Sequence, residues 1–297
     1  MMRRIALALL LAAFPAVAQE ESAQAAVLRE LFRPVLAQAG LGGLPVHARV
    51  SVAQNVVDCD ILAVVARPAG QVMALLGSAR GWCEFALLHH NVKACVEEAA
   101  AGGRRIVFHV GSKHYQPVEA SRLLRYDLRV ARGGSGLLSA RLSPVPAPAD
   151  GADGAALVEA VALDDGRTGV RVRFRETLGA GTRLLAAGYF ATFGRDKVGF
   201  STAGVDADGR PEYVGGLAGA IERNAVRHFL AVETVLEARA AGADVPVEQR
   251  LSRWFARAER HARQLREMDW AEYRDIKLRE FAQSAELQRR LDAQSAD

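Results

Sequence analysis

Residues 80–95, RGWCEFALLHHNVKAC, bring four side chains with reactive chemistry close together in the sequence. Cys83 and Cys95 flank the adjacent pair His89 and His90. Thiolates and imidazoles are common zinc ligands, a thiol beside an imidazole is a catalytic nucleophile, and two cysteines form a disulfide. The stretch therefore allows three interpretations: a metal site, a Cys/His catalytic pair, or a disulfide with two bystander histidines.

The spacing disfavours the first two interpretations. Cys-x5-His-His-x4-Cys lacks the closely spaced ligand pairs that let two side chains converge on one zinc ion. Adjacent histidines face opposite sides of a strand, and on a helix they diverge by about 100°, so His89 and His90 do not easily share an ion. Glu84 follows Cys83, and its negative charge would raise the thiol pKa rather than lower it.

The N-terminal residues indicate export. Arg3 and Arg4 precede a run of fourteen apolar residues, 5–18, that ends in Ala-Val-Ala. A positive region, an apolar core and a small-x-small end are the parts of a secretory signal peptide, and the run is shorter than the ~20 residues of a spanning helix. Gln19 rather than Cys follows, which disfavours a lipid anchor. We predict a soluble periplasmic or secreted protein that begins at Gln19.

An oxidising compartment favours a disulfide, and we predict that Cys83 pairs with Cys95. Cys59 lies in phase with the apolar residues of a strand, as a buried thiol that needs no partner. Because the chain has three cysteines, one thiol is left over whichever pair forms. Pairing of Cys59 with either of the other two stays open at this point.

The charge of the chain excludes nucleic acid as a partner. The formal net charge is +4, and loss of Arg3 and Arg4 lowers it by two to +2, with no block of Lys or Arg in the remainder. The sequence also lacks a phosphate-binding glycine loop, a nucleophile elbow and a zinc-protease motif. We predict no cofactor, no metal and no catalytic residue that a linear motif identifies.

Hydrophobic periodicity predicts a short N-terminal helix. Residues 22–38 place Val27, Leu28 and Phe32 on one side of a helix, which the AGLGG run at 39–43 ends.

The period then changes to two. From residue 46 to about 177 the apolar residues alternate as in half-buried antiparallel strands, interrupted by two short helices predicted over 67–88. A long amphipathic helix follows at 217–240, and a charged helical tail at 247–297.

The segment 177–216 lies between the last clear strand and the long helix. Its pattern predicts a helix over about 181–193 and then a hairpin around the Asp-Ala-Asp-Gly turn at 206–209. The segment is either a lid over a cavity or a structural insertion.

The order of these elements resembles the START-like (SRPBCC, helix-grip) superfamily. CDILAVVARPAGQVMALLGSARGWCEF (59–85) is similar to the opening of that superfamily: a strand, a proline corner, a helix and an aromatic turn. WCEFALLHHNVKAC, GRDKVGFS and YVGGLAGAIERNAVR resemble a group of exported proteobacterial proteins. The resemblance implies an α+β helix-grip fold, in which a curved antiparallel sheet wraps around a long C-terminal helix and leaves a cavity. An extra helical tail extends it here.

This resemblance divides the chain into a signal peptide (1–18), an N-terminal helix (19–43), a START-like domain (44–240) and a charged tail (241–297). It implies that the domain binds a hydrophobic small molecule, a lipid or an isoprenoid, in the cavity. Transient contact with a membrane is a further expectation.

Five residues are predicted to contact such a ligand. Trp82 and Phe85 are aromatic residues of the short helices, and Glu159 shares phase with apolar residues of its strand. His109 and Tyr126 also lie on strands. For the last three, a structural role in the sheet is the competing interpretation.

Two other functions compete with a binding protein. One is an enzyme of the cyclase or hydrolase type that uses the same cavity. The other is an interaction protein whose tail docks a protein partner through Trp254, Phe255 and Trp270, unless the tail packs on its own domain. Glu222 and Arg223 are expected on the exposed face of the long helix.

Overall fold

The computed structural model describes residues 23–133, 136–146, 154–181, 184, 188–189, 194–242 and 245–295. The predicted signal peptide and most of the helix predicted over 181–193 lie outside these residues. Among the residues that are described, no helix is both long and apolar enough to cross a membrane.

Eight antiparallel strands form one sheet in the order β1-β2-β8-β7-β6-β5-β4-β3. Their bounds are β1 Val46–Ala53, β2 Val56–Val65, β3 Val92–Ala100, β4 Gly103–Val110, β5 Arg122–Gly133, β6 Leu137–Val145, β7 Ala156–Ala162 and β8 Thr168–Thr177. Tight turns join most neighbours. Gly102, between β3 and β4, has a φ of 78°, a backbone conformation that residues with a Cβ rarely adopt. A separate hairpin pairs β9 (Thr202–Val205) with β10 (Pro211–Tyr213), around the turn predicted at 206–209.

Helices cover both faces and one edge of this sheet. Residues 23–30 form α1, and the other helices are α2 Arg33–Ala37, α3 Ala69–Leu76, α4 Ala79–Ala86, α5 Gly216–Ala241, α6 Val247–Glu259, α7 Ala262–Leu265 and α8 Trp270–Gln294. The two short helices predicted over 67–88 are α3 and α4, and the predicted long helix is α5.

The fold class is confirmed. The single antiparallel sheet lies against α5, and side chains of β1, β2, β7 and β8 form one apolar core with those of α3, α4 and α5. We call the face of the sheet toward α5 the inner face. This is the helix-grip arrangement, in which the sheet and the long helix enclose a space.

The opposite, outer face is covered at one end by α1 and α2. Leu28 and Phe32 pack there against Val161 of β7 in a second apolar cluster. Val27, predicted on the same side of the helix as Leu28, is instead exposed, because the buried stripe runs through Ala25, Leu28 and Phe32. β7 therefore has apolar residues on both faces.

The C-terminal helix α8 covers the edge strand β3. Ser284 accepts a hydrogen bond from the backbone N–H of Cys95 at 3.0 Å and donates to its carbonyl at 2.7 Å. Gln288 makes the same two-way pairing with the backbone of Glu97, at 2.8 and 3.1 Å. Side chains of α8 thus replace a ninth strand, and the edge is closed to other chains.

A fully buried ion cluster fastens α8 below that edge. The Glu280 carboxylate accepts from the Lys93 ammonium at 2.8 Å and from the Lys277 ammonium at 2.6 Å. Lys93 also donates to two backbone carbonyls, and so does Lys277, so each ammonium has three acceptors. Burial lowers the pKa of Lys277 to about 8, although the Glu280 charge opposes this shift.

The tail therefore packs on its own domain. Trp254 of α6 and Tyr273 of α8 are fully buried, and their rings stack at 5.2 Å. Phe255 and Trp270 pack against the same core. The three aromatic residues considered for docking a partner are thus engaged within the molecule.

The expectation for Glu222 and Arg223 was wrong, because the hairpin and the tail cover this face of α5. Both residues are only 4% exposed. The Glu222 carboxylate accepts from the backbone N–H groups of Phe200 and Ser201 at 2.7 and 2.9 Å. These two bonds hold the segment that leads into the hairpin against the first turns of α5.

Glu267 links the tail to the same face of α5. Its carboxylate pairs with Arg227, Lys197 and Lys113. Burial alone would raise the pKa of Glu267, but the three cations together outweigh it and hold this pKa at about 2. The charged carboxylate therefore stabilises the folded state.

We expect the variant Glu267→Gln to be about 2 kcal/mol less stable than the wild type near neutral pH. This loss is smaller than the free energy that corresponds to the whole pKa shift, because Lys113 and Lys197 are partly exposed and solvent screens their charges. A lowered carboxyl pKa stabilises the protein above the unfolded-state value. The difference should therefore shrink as the pH falls from about 4.5 toward 2. Chemical denaturation at several pH values measures it.

The exposed Glu212→Gln is the control and should change stability by less than about 0.5 kcal/mol. A Glu267→Gln difference that stays constant from neutral pH to the acid end would contradict the assignment.

Candidate ligand-binding cavity

The two cysteines of the 80–95 stretch form a disulfide, as predicted. Cys83 of α4 and Cys95 of β3 are bonded, with their Cα atoms 5.1 Å apart. Cys59 is free and buried, and burial together with the neighbouring Asp60 and Asp58 raises its pKa to about 12. The disulfide ties α4 to the edge strand and so positions the aromatic residues of α4.

The two histidines of this stretch lie in different surroundings and do not point toward one metal site. His90 packs against the stacked rings of Trp254 and Tyr273, each 5.2 Å away, and burial lowers its pKa to about 3. His89 turns toward α5 and stacks on His228 with ring centroids 5.2 Å apart. Within the described part of the chain, no group of three or more His, Cys, Asp or Glu side chains is arranged to hold a metal ion.

A cavity of about 380 Å³ lies between the inner face of the sheet and α5. Among the described residues that line it, all except Asn224 and His228 are apolar. The sheet wall comes from alternate positions of β1, β2, β7 and β8, as the strand period requires, and α5 presents positions spaced by three and four residues. Representative wall residues are Ile61, Val158, Val172, Phe174, Ala225 and Phe229.

Trp82 and Phe85 line this cavity from α4. Their rings are 5.1 Å apart, and the Trp82 indole N–H donates to the backbone carbonyl of Leu76 at 2.7 Å. That bond satisfies the polar atom of the indole and leaves its ring as an apolar wall. The structure thus places both predicted residues at the cavity, while their contact with a ligand remains a prediction.

A second compartment of about 460 Å³ adjoins the first and shares Trp82, Phe85, Asn224 and His228 with it. Tyr126 lines this compartment together with Phe108, whose ring centroid is 6.1 Å away. The two compartments also share Ala156 of β7 and Phe174 of β8, so they meet between α4, α5 and the sheet, and one ligand that passes these shared residues reaches both.

His109 and Glu159 do not line either compartment. Residues alternate across the sheet, and both side chains belong to the outer face. His109 hydrogen-bonds the Ser121 hydroxyl at 3.0 Å, and Glu159 pairs with Arg173 at 3.2 Å. Glu159 shares phase with apolar residues, as noted from the sequence, but those residues pack under α1 and α2 rather than around the cavity. Their placement gives neither residue a contact with a cavity ligand.

The polar end of the cavity consists of Asn224 and His228, with His89 of the second compartment beside them, and sequence reasoning selected none of the three as a ligand contact. His89 Nε2 lies 3.2 Å from Asn224 Oδ1, and His228 Nδ1 lies 2.7 Å from the Asn224 backbone carbonyl. A signal was available, since positions 224 and 228 flank the apolar stripe of α5 that includes Ile221, Ala225 and Phe229.

Both imidazoles at this end are neutral near neutral pH. Burial is the main cause that lowers the pKa of His89 well below its usual value, and the charge of Arg227 contributes less. Burial also lowers the pKa of His228, and Arg227 adds to the effect. The cavity is therefore apolar with a small uncharged polar end.

No protein-family model and no curated protein matches this chain. Solved structures are similar to it at low identity. A STAR-related lipid transfer protein from Xanthomonas axonopodis is 12% identical over 50% of this chain and 89% of that chain, with a TM-score of 0.32. An aromatase/cyclase from a Streptomyces species is 18% identical over 66% and 100%, with a TM-score of 0.33. Human StAR-related lipid transfer protein 5 is 14% identical over 57% and 90%, with a TM-score of 0.31.

Similarity at this level says nothing about ligand or activity. The strand order and the placement of α5 themselves define the helix-grip fold. The similarity to a group of exported proteobacterial proteins stays a prediction.

Proposed function

We propose that this protein is a periplasmic or secreted binding protein that holds a hydrophobic small molecule, a lipid or an isoprenoid, between the sheet and α5. The observation that carries the proposal is the cavity of about 380 Å³, whose lining is apolar except at Asn224 and His228. Cavities of a few hundred Å³ with apolar walls and few polar groups are the usual form of small-molecule sites.

The driving force of binding would be removal of apolar surface from water. Burial contributes roughly 25 cal/mol per Å² of apolar surface, so enclosing an aliphatic chain in this cavity stabilises the complex by several kcal/mol before ordering costs. The disulfide at Cys83 ties α4, which carries Trp82 and Phe85 of the cavity wall, to β3. A rigid wall of this kind lowers the cost of ordering on binding.

The proposed compartment agrees with the disulfide and with the N-terminal sequence pattern, since disulfides persist in the periplasm and outside the cell. N-terminal sequencing of the protein recovered from the periplasm of an expressing Gram-negative host tests this part. A chain that stays in the cytoplasm with residue 1 intact would contradict it.

The cyclase or hydrolase alternative needs titratable groups that converge on a bound substrate. On the sheet side of the first cavity, Val158, Val172 and Phe174 occupy the wall where such groups would stand. This lining favours a binding protein.

A larger side chain inside the cavity should weaken ligand binding. We expect Ala225→Phe, whose larger ring projects from α5 into the cavity, to weaken binding of a neutral naphthylamine dye by at least about tenfold. Fluorescence titration measures this, and mass spectrometry under native conditions should show a co-purified apolar molecule in the wild type only.

Ala240→Phe is the matched control, because Ala240 is exposed on the same helix. It should bind the dye as the wild type does. A wild-type protein that is always empty and binds no dye would refute the proposed function.

A further inference from the structure

We propose that the polar end of the cavity, Asn224 with His228, recognises a hydroxyl group, so that the ligand is an uncharged apolar alcohol rather than a fatty acid or another anion. This inference rests on the proposed function and specifies its ligand class. It follows from the hydrogen-bond roles that the surrounding contacts impose on three side chains.

The first contact fixes the proton of His89. The backbone N–H of Asn91 donates to His89 Nδ1 at 3.1 Å, so this nitrogen carries the lone pair. A neutral imidazole has one proton, which must then be on Nε2. His89 Nε2 therefore donates to Asn224 Oδ1, 3.2 Å away.

The second contact fixes the orientation of the Asn224 amide. Its oxygen faces two donors, His89 Nε2 at 3.2 Å and Arg227 Nη1 at 3.5 Å. If the amide were flipped, its N–H groups would face these two donors. The orientation with Oδ1 toward His89 and Arg227 is therefore the consistent one. The amide N–H groups of Asn224 remain, and Asn224 lines both compartments.

The third contact fixes the proton of His228. Its Nδ1 lies 2.7 Å from the Asn224 backbone carbonyl, which only accepts, so Nδ1 carries the proton. Nε2 of the neutral ring is then a bare lone pair. Among the described residues, neither His228 Nε2 nor Asn224 Nδ2 has a hydrogen-bond partner, although His228 also lines both compartments.

The cavity thus presents one acceptor and one donor from neutral groups, one turn apart on α5. A hydroxyl matches this pair, because it donates to His228 Nε2 and accepts from Asn224 Nδ2. An ether or a ketone satisfies only the donor. A carboxylate would face the His228 lone pair and lose its hydration. The nearby Arg227 is already paired with Glu267 at 2.9 Å, and the charged lining residues Arg175 and Glu176 are exposed residues of the second compartment.

The test compares three ligands with the same chain: tetradecanol, its methyl ether, and tetradecanoate at a pH well above the acid pKa. Each displaces a neutral naphthylamine dye from the full-length protein. We expect the alcohol to bind about tenfold more tightly than the ether, the effect of one additional hydrogen bond in an apolar site, and more tightly still than the carboxylate.

Two variants locate the preference. In His228→Phe and in Asn224→Leu, the alcohol should lose its advantage over the ether to within about twofold, with the ratio of the two affinities taken within each variant, whose own affinity for the dye is measured first. Circular dichroism and denaturant unfolding of each variant show that it is still folded. His114→Gln, a change at a histidine whose side chain is 63% exposed, is the control and should keep the tenfold preference.

Equal affinities for alcohol and ether, tighter binding of the carboxylate, or a preference that survives both variants would overturn this inference and leave the proposed function standing. Failure of the wild type to bind the dye and all three ligands would overturn both.

Discussion

Replacing Glu280 by glutamine is expected to lower the free energy of unfolding by about 3 to 5 kcal/mol, the cost of leaving buried charges without a partner. The Lys93 and Lys277 ammonium groups share this one carboxylate, and all three side chains are at most 1% exposed. A neutral amide keeps the shape and removes the charge, so two buried cations would repel each other. Denaturant unfolding with the disulfide intact measures the change.

Glu286→Gln on the same helix is the control. Glu286 pairs with Arg289 and Arg290 at the surface, and its loss should cost less than about 1 kcal/mol. Replacing Lys93 and Lys277 by methionine together with Glu280→Leu should recover much of the loss, because apolar side chains of similar volume need no charge partner. A loss below about 1 kcal/mol for Glu280→Gln would show that water reaches this cluster.

Removal of the disulfide should have the next largest effect. We expect Cys83→Ala with Cys95→Ala to destabilise the protein by about 3 kcal/mol, because the bond closes a loop with a sequence separation of 12 and restricts the unfolded chain. The variant should also bind the naphthylamine dye less tightly, since α4, which carries Trp82 and Phe85, is no longer tied to β3. Unfolding under oxidising conditions and dye titration measure the two effects.

Cys59→Ala is the comparison for this variant. It leaves the disulfide in place and should cost about 1 kcal/mol through the lost volume of a buried side chain. Recovery of Cys83 and Cys95 as free thiols in a mass map of the unreduced protein would contradict the pairing.

These predictions depend to different degrees on what the sequence alone indicates. The disulfide was predicted because the signal-peptide pattern and the spacing of Cys83 and Cys95 are both recognisable in short stretches of the sequence. Both short helices, the long helix and the hairpin turn at 206–209 were also predicted, since periodicity and turn residues act over a few positions.

The Lys93–Glu280–Lys277 cluster was not predictable in this way. Lys93 and Glu280 are separated by 187 positions, and only the packing of α8 on β3 brings them together. In the sequence, Glu280 is one of many charges in a tail that has the composition of a solvated surface. Glu222 and Arg223 were misplaced for the same reason, because the hairpin and the tail that cover them belong to other parts of the chain.

Glu159 shows the limit of strand periodicity. The alternation of apolar residues correctly separates the two faces of β7, but both faces are partly apolar, since α1 and α2 cover the outer one. Periodicity assigns Glu159 to a face and does not say which face meets the cavity. The choice depends on where helices distant in sequence pack.

By itself, the sequence predicted the local elements and the apolar stripe of α5, and it favoured the pairing of Cys83 with Cys95 while leaving Cys59 as an open alternative. Only the tertiary structure decided that the histidines of the 80–95 stretch separate, one into the tail core and one beside His228 at the cavity. Local structure follows from interactions between near neighbours in the chain. The hydrogen bond between His89 and Asn224 joins residues 135 positions apart that meet only after folding, and burial keeps the imidazoles of His89 and His228 neutral.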